Sequence, residues 1–314
     1  LLFAVDLNQS PSKDPQDLKL GFDHYTCQDR FHRTIDFYLS KSNGKLPLAV
    51  LVMGSGAQSM WVKRGNQVFG GLQNLLATAA KGRFRVLAVE KPGVPFAYQP
   101  KQPGTAEGAP KAFLEEHTLE RWTEAVDAAI RACHTLPEID PARTLAIGHS
   151  EGGIVVARLA AIDPQVTDVA VLAGGGPSQI FDSLYLFGRE ATEKGVAEIR
   201  TDPMSPNKLI WGQPYRRWTT FFGSSPLEEA LKSKARFLIV QGTNDKNVYP
   251  PSADVLYAGL LGHDRDVELE TIEGADHGFT VNPADPPGAD FTKVFTDVLA
   301  WFSKVHGPAR GSRG

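Results

Sequence analysis

Three short segments of this chain carry residues that together could cleave an acyl bond. Gly148-His149-Ser150-Glu151-Gly152 places a serine between glycines two before and two after it. The apolar run Thr144-Leu145-Ala146-Ile147 ahead of it reads as a buried strand. The run from Gly153 to Ala161 behind it reads as a buried helix. A strand that becomes a helix within one residue forces a strained backbone there, and the glycines give the turn room to close. The serine oxygen is then lifted over the sheet edge, above the positive end of the helix. The motif is weak alone and gains meaning from its strand-turn-helix setting and from an acid and a histidine downstream.

A serine hydroxyl is a poor nucleophile at neutral pH. It needs a base, and the base needs an anion to fix its tautomer. Gln241-Gly242-Thr243-Asn244-Asp245 follows the strand-like run Ala235 to Val240, and Glu273-Gly274-Ala275-Asp276-His277-Gly278 follows a strand at 266–272. Asp245 and His277 are thereby predicted at the same sheet edge as Ser150, in the order Ser, Asp, His. Asp276 is the weaker acid candidate because adjacent side chains do not easily meet. His149 is expected to point away from the serine. His24, His32, His117, His134, His263 and His306 are expected in solvated or capping roles. Backbone N–H donors for an oxyanion are predicted at Glu151, just after the serine, and in Gly54-Ser55-Gly56-Ala57, with Ser55 preferred and Gly56 the alternative. The Glu151 side chain is read as an acid favoured by the first turn of a helix.

The elements that must position these groups alternate. Residues 25–39 read as an edge hairpin, 48–53 and 84–89 as buried strands, and Val68 to Ala80 as a helix. A Pro/Gly loop runs from Pro92 to Pro110. Then come a helix at 118–134, a strand at 143–148, the helix after Ser150 and a strand from Val166 to Ala173. Closing units are a helix near 252–261, the strand at 266–272 and a helix from about 288 to 303. This alternation calls for an α/β fold, with a parallel sheet covered by helices on both faces. The expected organisation is an irregular segment over 1–22, a core over 23–176 and 235–306, an insertion over 177–234 and a disordered tail over 307–314. The insertion is rich in aromatics. It reads as a lid, with Trp211, Tyr215 and Trp218, together with Trp61 from an earlier loop, as pocket candidates.

With 314 residues, 42% of them apolar, and a net charge of −3, the chain supports a sizeable core and shows no basic footprint for nucleic acid. Cys27 and Cys133 are too few for a disulfide framework or a zinc site, and Cys133 falls on a helical apolar face as an inert thiol. A single bridge between the two stays open. No run reaches the ~18 apolar residues of a membrane span. Leu1 to Val5 is compatible with the tail of a signal peptide but too short to decide, so cytoplasmic and exported locations both stay open.

Leu51-Val52-Met53-Gly54-Ser55-Gly56-Ala57-Gln58, Gly148 to Gly153 and Gly242-Thr243-Asn244-Asp245 resemble the α/β-hydrolase superfamily. Within it they are similar to bacterial esterases related to the prolyl-oligopeptidase and dienelactone-hydrolase groups. The resemblance covers about Leu46 to Phe302. It implies a mostly parallel sheet of eight strands, a Ser150–His277–Asp245 triad, and neither metal nor organic cofactor. Loops 59–64 and 90–94 depart from the pattern of those groups. The function expected is hydrolysis of small carboxylic esters with small to medium acyl groups. The alternatives are a prolyl-oligopeptidase-like peptidase or amidase, for which Glu90 is the lone amine-binding candidate, and a non-catalytic binding protein on the same fold.

Overall fold

The computed structural model describes residues 20–286 and 288–307. Positions 1–19 of the predicted N-terminal segment and 308–314 of the predicted tail lie outside the described residues.

Phe22–Gln28 (β1) and Thr34–Ser40 (β2) form the expected antiparallel hairpin. Leu46–Val52 (β3) follows, then Trp61–Arg64 (β4) and Gln67–Gly70 (β5), a small separate hairpin, and Leu72–Ala80 (α1). The helix predicted from Val68 therefore starts four residues late. Gly65, at φ 59°, turns the chain back, and the Gly70-Gly71 pair ends the ladder before the helix can begin. Arg85–Val89 (β6), Lys111–Glu116 (α2), Leu119–His134 (α3), Ile139–His149 (β7), Glu151–Ile162 (α4) and Asp168–Leu172 (β8) continue the alternation. The insertion contains Gln179–Leu186 (α5), Arg189–Arg200 (α6), Leu209–Ile210 (β9), Gln213–Pro214 (β10), Tyr215–Phe222 (α7) and Pro226–Lys232 (α8). Arg236–Gly242 (β11), Pro251–Gly262 (α9), Val267–Ile272 (β12) and Ala289–His306 (α10) complete the chain.

Eight strands make one sheet in the order β1-β2-β6-β3-β7-β8-β11-β12, parallel from β6 to β12, with the β1–β2 hairpin antiparallel at one edge. Alternate residues of β3 explain why its sequence shows no polar face. Leu48, Val50 and Val52 pack with α3, α4 and α9, whereas Ala49 and Leu51 pack with α1 and α10. Between those two apolar layers the sheet is sealed on both sides. From β3 the chain crosses to β6 on one flank and later to β7 on the other. The order reverses there, and a crevice opens beyond the carboxyl ends of β3 and β7. Ser55 and Ser150 lie at those two ends, and Asp245 and His277 follow β11 and β12 at the same edge.

Cys27 and Cys133 are both buried and both free, so the bridge left open by the sequence is not formed. Burial pushes the Cys27 thiol up to about 12, and Cys133 is raised for the same reason. No helix among the described residues is long and apolar enough to cross a membrane.

Candidate active site

Ser150 sits between β7 and α4 at φ 56° and ψ −123°, a conformation that L side chains rarely adopt. The turn is held by Ser150 N–H donating to Leu172 O at 2.9 Å and by Gly153 N–H donating to Ser150 O at 2.9 Å. Its closeness explains the glycines. A Cβ on Gly148 would collide with the Gly152 carbonyl, and one on Gly152 with the Val52 carbonyl of the neighbouring strand. One on Gly54 would lie 3.1 Å from the Ser150 Cβ and 3.6 Å from its Oγ.

His277 Nδ1 lies 2.9 Å from Asp245 Oδ2. The acid is anchored on all sides: Gln241 Nε2 donates to Oδ2 at 3.0 Å, and the Asn247 and Val248 N–H groups donate to Oδ1 at 2.8 and 3.0 Å. Burial raises the Asp245 pKa, but the His277 contact and the two backbone donors outweigh it, and the carboxyl is held below its ordinary range. Asp276 is turned elsewhere, accepting from the Gly278 and Thr280 N–H groups at 2.8 Å each as a loop brace. Ser150 and His277 both open onto a cavity of about 560 Å³, whose walls include Ser55, Gln58, Gln179, Arg217, Trp211 and Trp218.

Several expectations need correction. Trp61 is fully buried in the core, edge-on to Phe22 and Tyr38 at ring-centroid distances of 5.6 and 5.1 Å, and is not on the cavity wall. Tyr215 is also internal to the insertion, its hydroxyl on Glu198 and its ring packed with Ile199 and Trp218. Trp61 helps close the main core and Tyr215 a small apolar cluster within the insertion, roles that sequence spacing does not distinguish from lining a pocket. Gly56 is buried off the wall, where its φ of 94° brings it against Gly104, so of the two donor candidates Ser55 is the one on the cavity. Glu90 faces inward too. It accepts from Ser59 Oγ at 2.5 Å and from the Met60 N–H, and burial pushes its pKa up to about 8, so it is no amine binder at the cavity.

Two histidines also depart from expectation. His149 does not turn away from the site. Its Nε2 lies 2.9 Å from the His277 carbonyl oxygen, and the two rings pack 4.8 Å apart. Burial pushes its pKa down to about 4, so it is neutral and donates to that carbonyl, bracing the His277 loop. His117 is neither solvated nor a cap: it is buried, with Nε2 3.2 Å from Glu151 Oε1.

The largest omission of the sequence reading is what surrounds Glu151. Its carboxylate is buried and bonded to Lys91 Nζ at 3.0 Å, Arg217 Nε at 2.9 Å and His117. Burial alone would raise the Glu151 pKa, yet Lys91, His117 and Arg217 hold it well below the ordinary carboxylate range. One signal was present: a carboxylate at the start of an otherwise apolar helix is seldom buried unpaired. Which cations pair with it is not encoded locally, since they lie 60 and 66 residues away.

Residues 49–287 match the alpha/beta hydrolase family, and the chain belongs to it. Among solved structures it is similar to a Mycobacterium tuberculosis puromycin-hydrolyzing peptidase, at 20% identity and TM-score 0.62, over 92% of this chain and 40% of that one. Pyrococcus horikoshii acylaminoacyl peptidase gives 16% identity and TM-score 0.63, over 94% of this chain and 43% of that one. A Klebsiella pneumoniae protein provisionally named dienelactone hydrolase gives 15% identity and TM-score 0.58, over 90% and 98%. The chain thus spans about two fifths of the length of the two peptidases. At these identities the likeness establishes the fold. No curated protein matches the chain.

Proposed function

We propose that the protein is a serine hydrolase cleaving carboxylic esters of small to medium acyl groups. The observation that carries this reading is that His277, held 2.9 Å from the buried Asp245, opens with the strained Ser150 onto one cavity. Ser150 Oγ attacks the ester carbonyl carbon while its proton passes to His277 Nε2, the ring nitrogen not engaged by Asp245. The oxyanion is received by the Ser55 and Glu151 N–H groups. The tetrahedral intermediate collapses, the C–O bond to the leaving group breaks, and His277 delivers the proton to the departing alkoxide. Water then repeats the sequence on the acyl-enzyme. Support for an ester over a peptide comes from the carboxylates near the cavity: Glu90 faces inward, and the two on its wall are already engaged, Glu151 by Lys91 and Arg217 and Asp182 by Ser252 Oγ and the Tyr249 N–H.

The lid in this reading is the part of the insertion from Pro177 to Phe222, with Trp211 and Trp218 on the acyl side. Phe187 stacks on Trp211 at 4.8 Å, and the hairpin beside Trp211 is tied to the 92–110 loop through Ala106 N–H donating to Gly212 O at 2.7 Å. Ser150→Ala is expected to lower kcat on p-nitrophenyl butyrate by about 10⁶-fold, or below detection, and to abolish fluorophosphonate labelling. Labelling of the variant at the wild-type rate rules out Ser150 as the nucleophile. Aminoacyl-anilide hydrolysis by the wild type at rates matching the ester would favour the peptidase named by two of the structural neighbours.

A further inference from the structure

Beneath the Gly54–Ala57 loop lies an ion cluster that the ester chemistry above does not use directly. Lys91 Nζ donates to Gly54 O at 2.6 Å, to Gly56 O at 3.1 Å and to Glu151 Oε1 at 3.0 Å. These three acceptors match the three N–H bonds of an ammonium, whereas a neutral amine would set a lone pair against one of them. The Lys91 and Glu151 side chains are 4% and 1% exposed. Arg217 completes the cluster from the insertion. It donates through Nε to Glu151 and through Nη1 to Gln179 Oε1 at 2.7 Å, with its guanidinium over the Trp218 and Phe221 rings at 4.3 and 4.2 Å. His117 is held neutral, its pKa pushed down to about 4 by burial. Two cations therefore share one carboxylate, and the buried cluster carries a net positive charge.

A buried charge without full compensation is destabilising, which raises the question of what it does. The hydrogen bonds give the answer. In a trans peptide the carbonyl of one residue and the N–H of the next point in opposite directions. Lys91 draws the Gly54 carbonyl inward, so the Ser55 N–H of the same peptide is turned outward, on the side where Ser55 and Ser150 line the cavity. The second carbonyl held by Lys91 follows the same rule: Gly56 O is drawn in, and the Ala57 N–H faces away, donating to Thr105 O at 3.3 Å. A cation on a peptide carbonyl also polarises that peptide and strengthens its N–H as a donor. Glu151 binds Lys91 by its side chain while its own N–H, unpaired within the first turn of α4, is the second oxyanion donor.

We propose that Lys91 is the positioning residue of the oxyanion site: it aims and polarises the Ser55 N–H and, through the Glu151 carboxylate, locks it in register with the Glu151 N–H. This rests on the ester-hydrolase reading. It assigns Lys91 a role in stabilising the transition state, with substrate binding left to the cavity walls.

The test compares the wild type with Lys91→Met, Lys91→Gln and Lys91→Arg on p-nitrophenyl butyrate. It also compares binding of a trifluoromethyl ketone, which adds to Ser150 as an oxyanion, with binding of the matching alcohol, which only fills the cavity. Removal of one oxyanion donor costs enzymes about 10²- to 10³-fold in kcat. Because Lys91 acts through such a donor, Lys91→Met is expected to lower kcat by roughly 10- to 100-fold, with KM changed by less than about threefold. Ketone affinity should fall in step with kcat/KM, alcohol affinity should hold, and Lys91→Arg should recover part of the loss. If Lys91→Met does not fold, the Gln and Arg pair is read in the same way. An active wild type with unchanged kcat in the Met or Gln variant overturns the role of Lys91 alone, as does equal loss of ketone and alcohol affinity. A wild type that hydrolyses no ester, or hydrolysis that survives Ser150→Ala, overturns the underlying reading and this inference with it.

Discussion

Both oxygens of Asp245 face only donors: Oδ1 the Asn247 and Val248 N–H groups, Oδ2 the Gln241 amide and His277 Nδ1. That crowding makes Asp245→Asn informative. The Asn oxygen must take the two fixed backbone donors, which leaves its NH₂ against His277 Nδ1. Nδ1 then becomes an acceptor and the proton moves to Nε2, the wrong tautomer for receiving the Ser150 proton. The expected result is a kcat loss of about 10⁴-fold with little change in KM, measured on the same aryl ester. A loss under tenfold would mean that another acid orients His277.

At the scale of elements, the helices of the insertion pack closely enough for one added methyl group to press on a residue of the cavity wall. Gly195 on α6 faces the Trp211 indole so tightly that a Cβ there would overlap the ring. Trp211 itself is held at φ 48° between Phe187 and Trp218, so it has little slack. Gly195→Ala is expected to push the indole and change the ratio of kcat/KM for hexanoate over acetate esters by about tenfold, within the range of a methylene-sized change in a pocket. Fluorophosphonate labelling of Ser150 should persist. An unchanged acyl-length profile would detach Trp211 from the acyl pocket.

For the molecule as a whole, the pH dependence of stability has one identifiable source far from the cavity. Asp127 on α3 is buried, with the Asp163 carboxyl at the end of α4 as a like-charged neighbour and Arg131 Nε 2.9 Å from its Oδ2. Burial raises the Asp127 pKa, Arg131 opposes it, and the Asp163 carboxylate raises it further, to about 7. An unfolded aspartate titrates near about 4, so folding takes up a proton between there and about 7. This contribution to stability is present at low pH and is lost as pH rises through the folded value. Relative to wild type, Asp127→Asn should therefore gain more in Tm at pH 8 than at pH 5. Equal shifts at the two pH values would remove Asp127 as a source of the pH dependence.

The sequence by itself determined the sheet and the three residues at its edge. Buried strands and helices have distinct periods, and Ser150, Asp245 and His277 each follow a strand within a few residues of glycines that a tight turn requires. Those signals are local, so they survive in one dimension. Only the tertiary structure decided which aromatics face the cavity, that His149 braces the His277 loop, and that Lys91 and Arg217 converge on Glu151. Such contacts join residues that many tens of positions separate, and a lysine in a loop or a tryptophan in an insertion has the same local pattern whether it meets solvent, core or site. Packing chose between them: the Gly54 and Gly56 carbonyls turned inward to Lys91, Trp61 turned into the main core, and Tyr215 into an apolar cluster within the insertion.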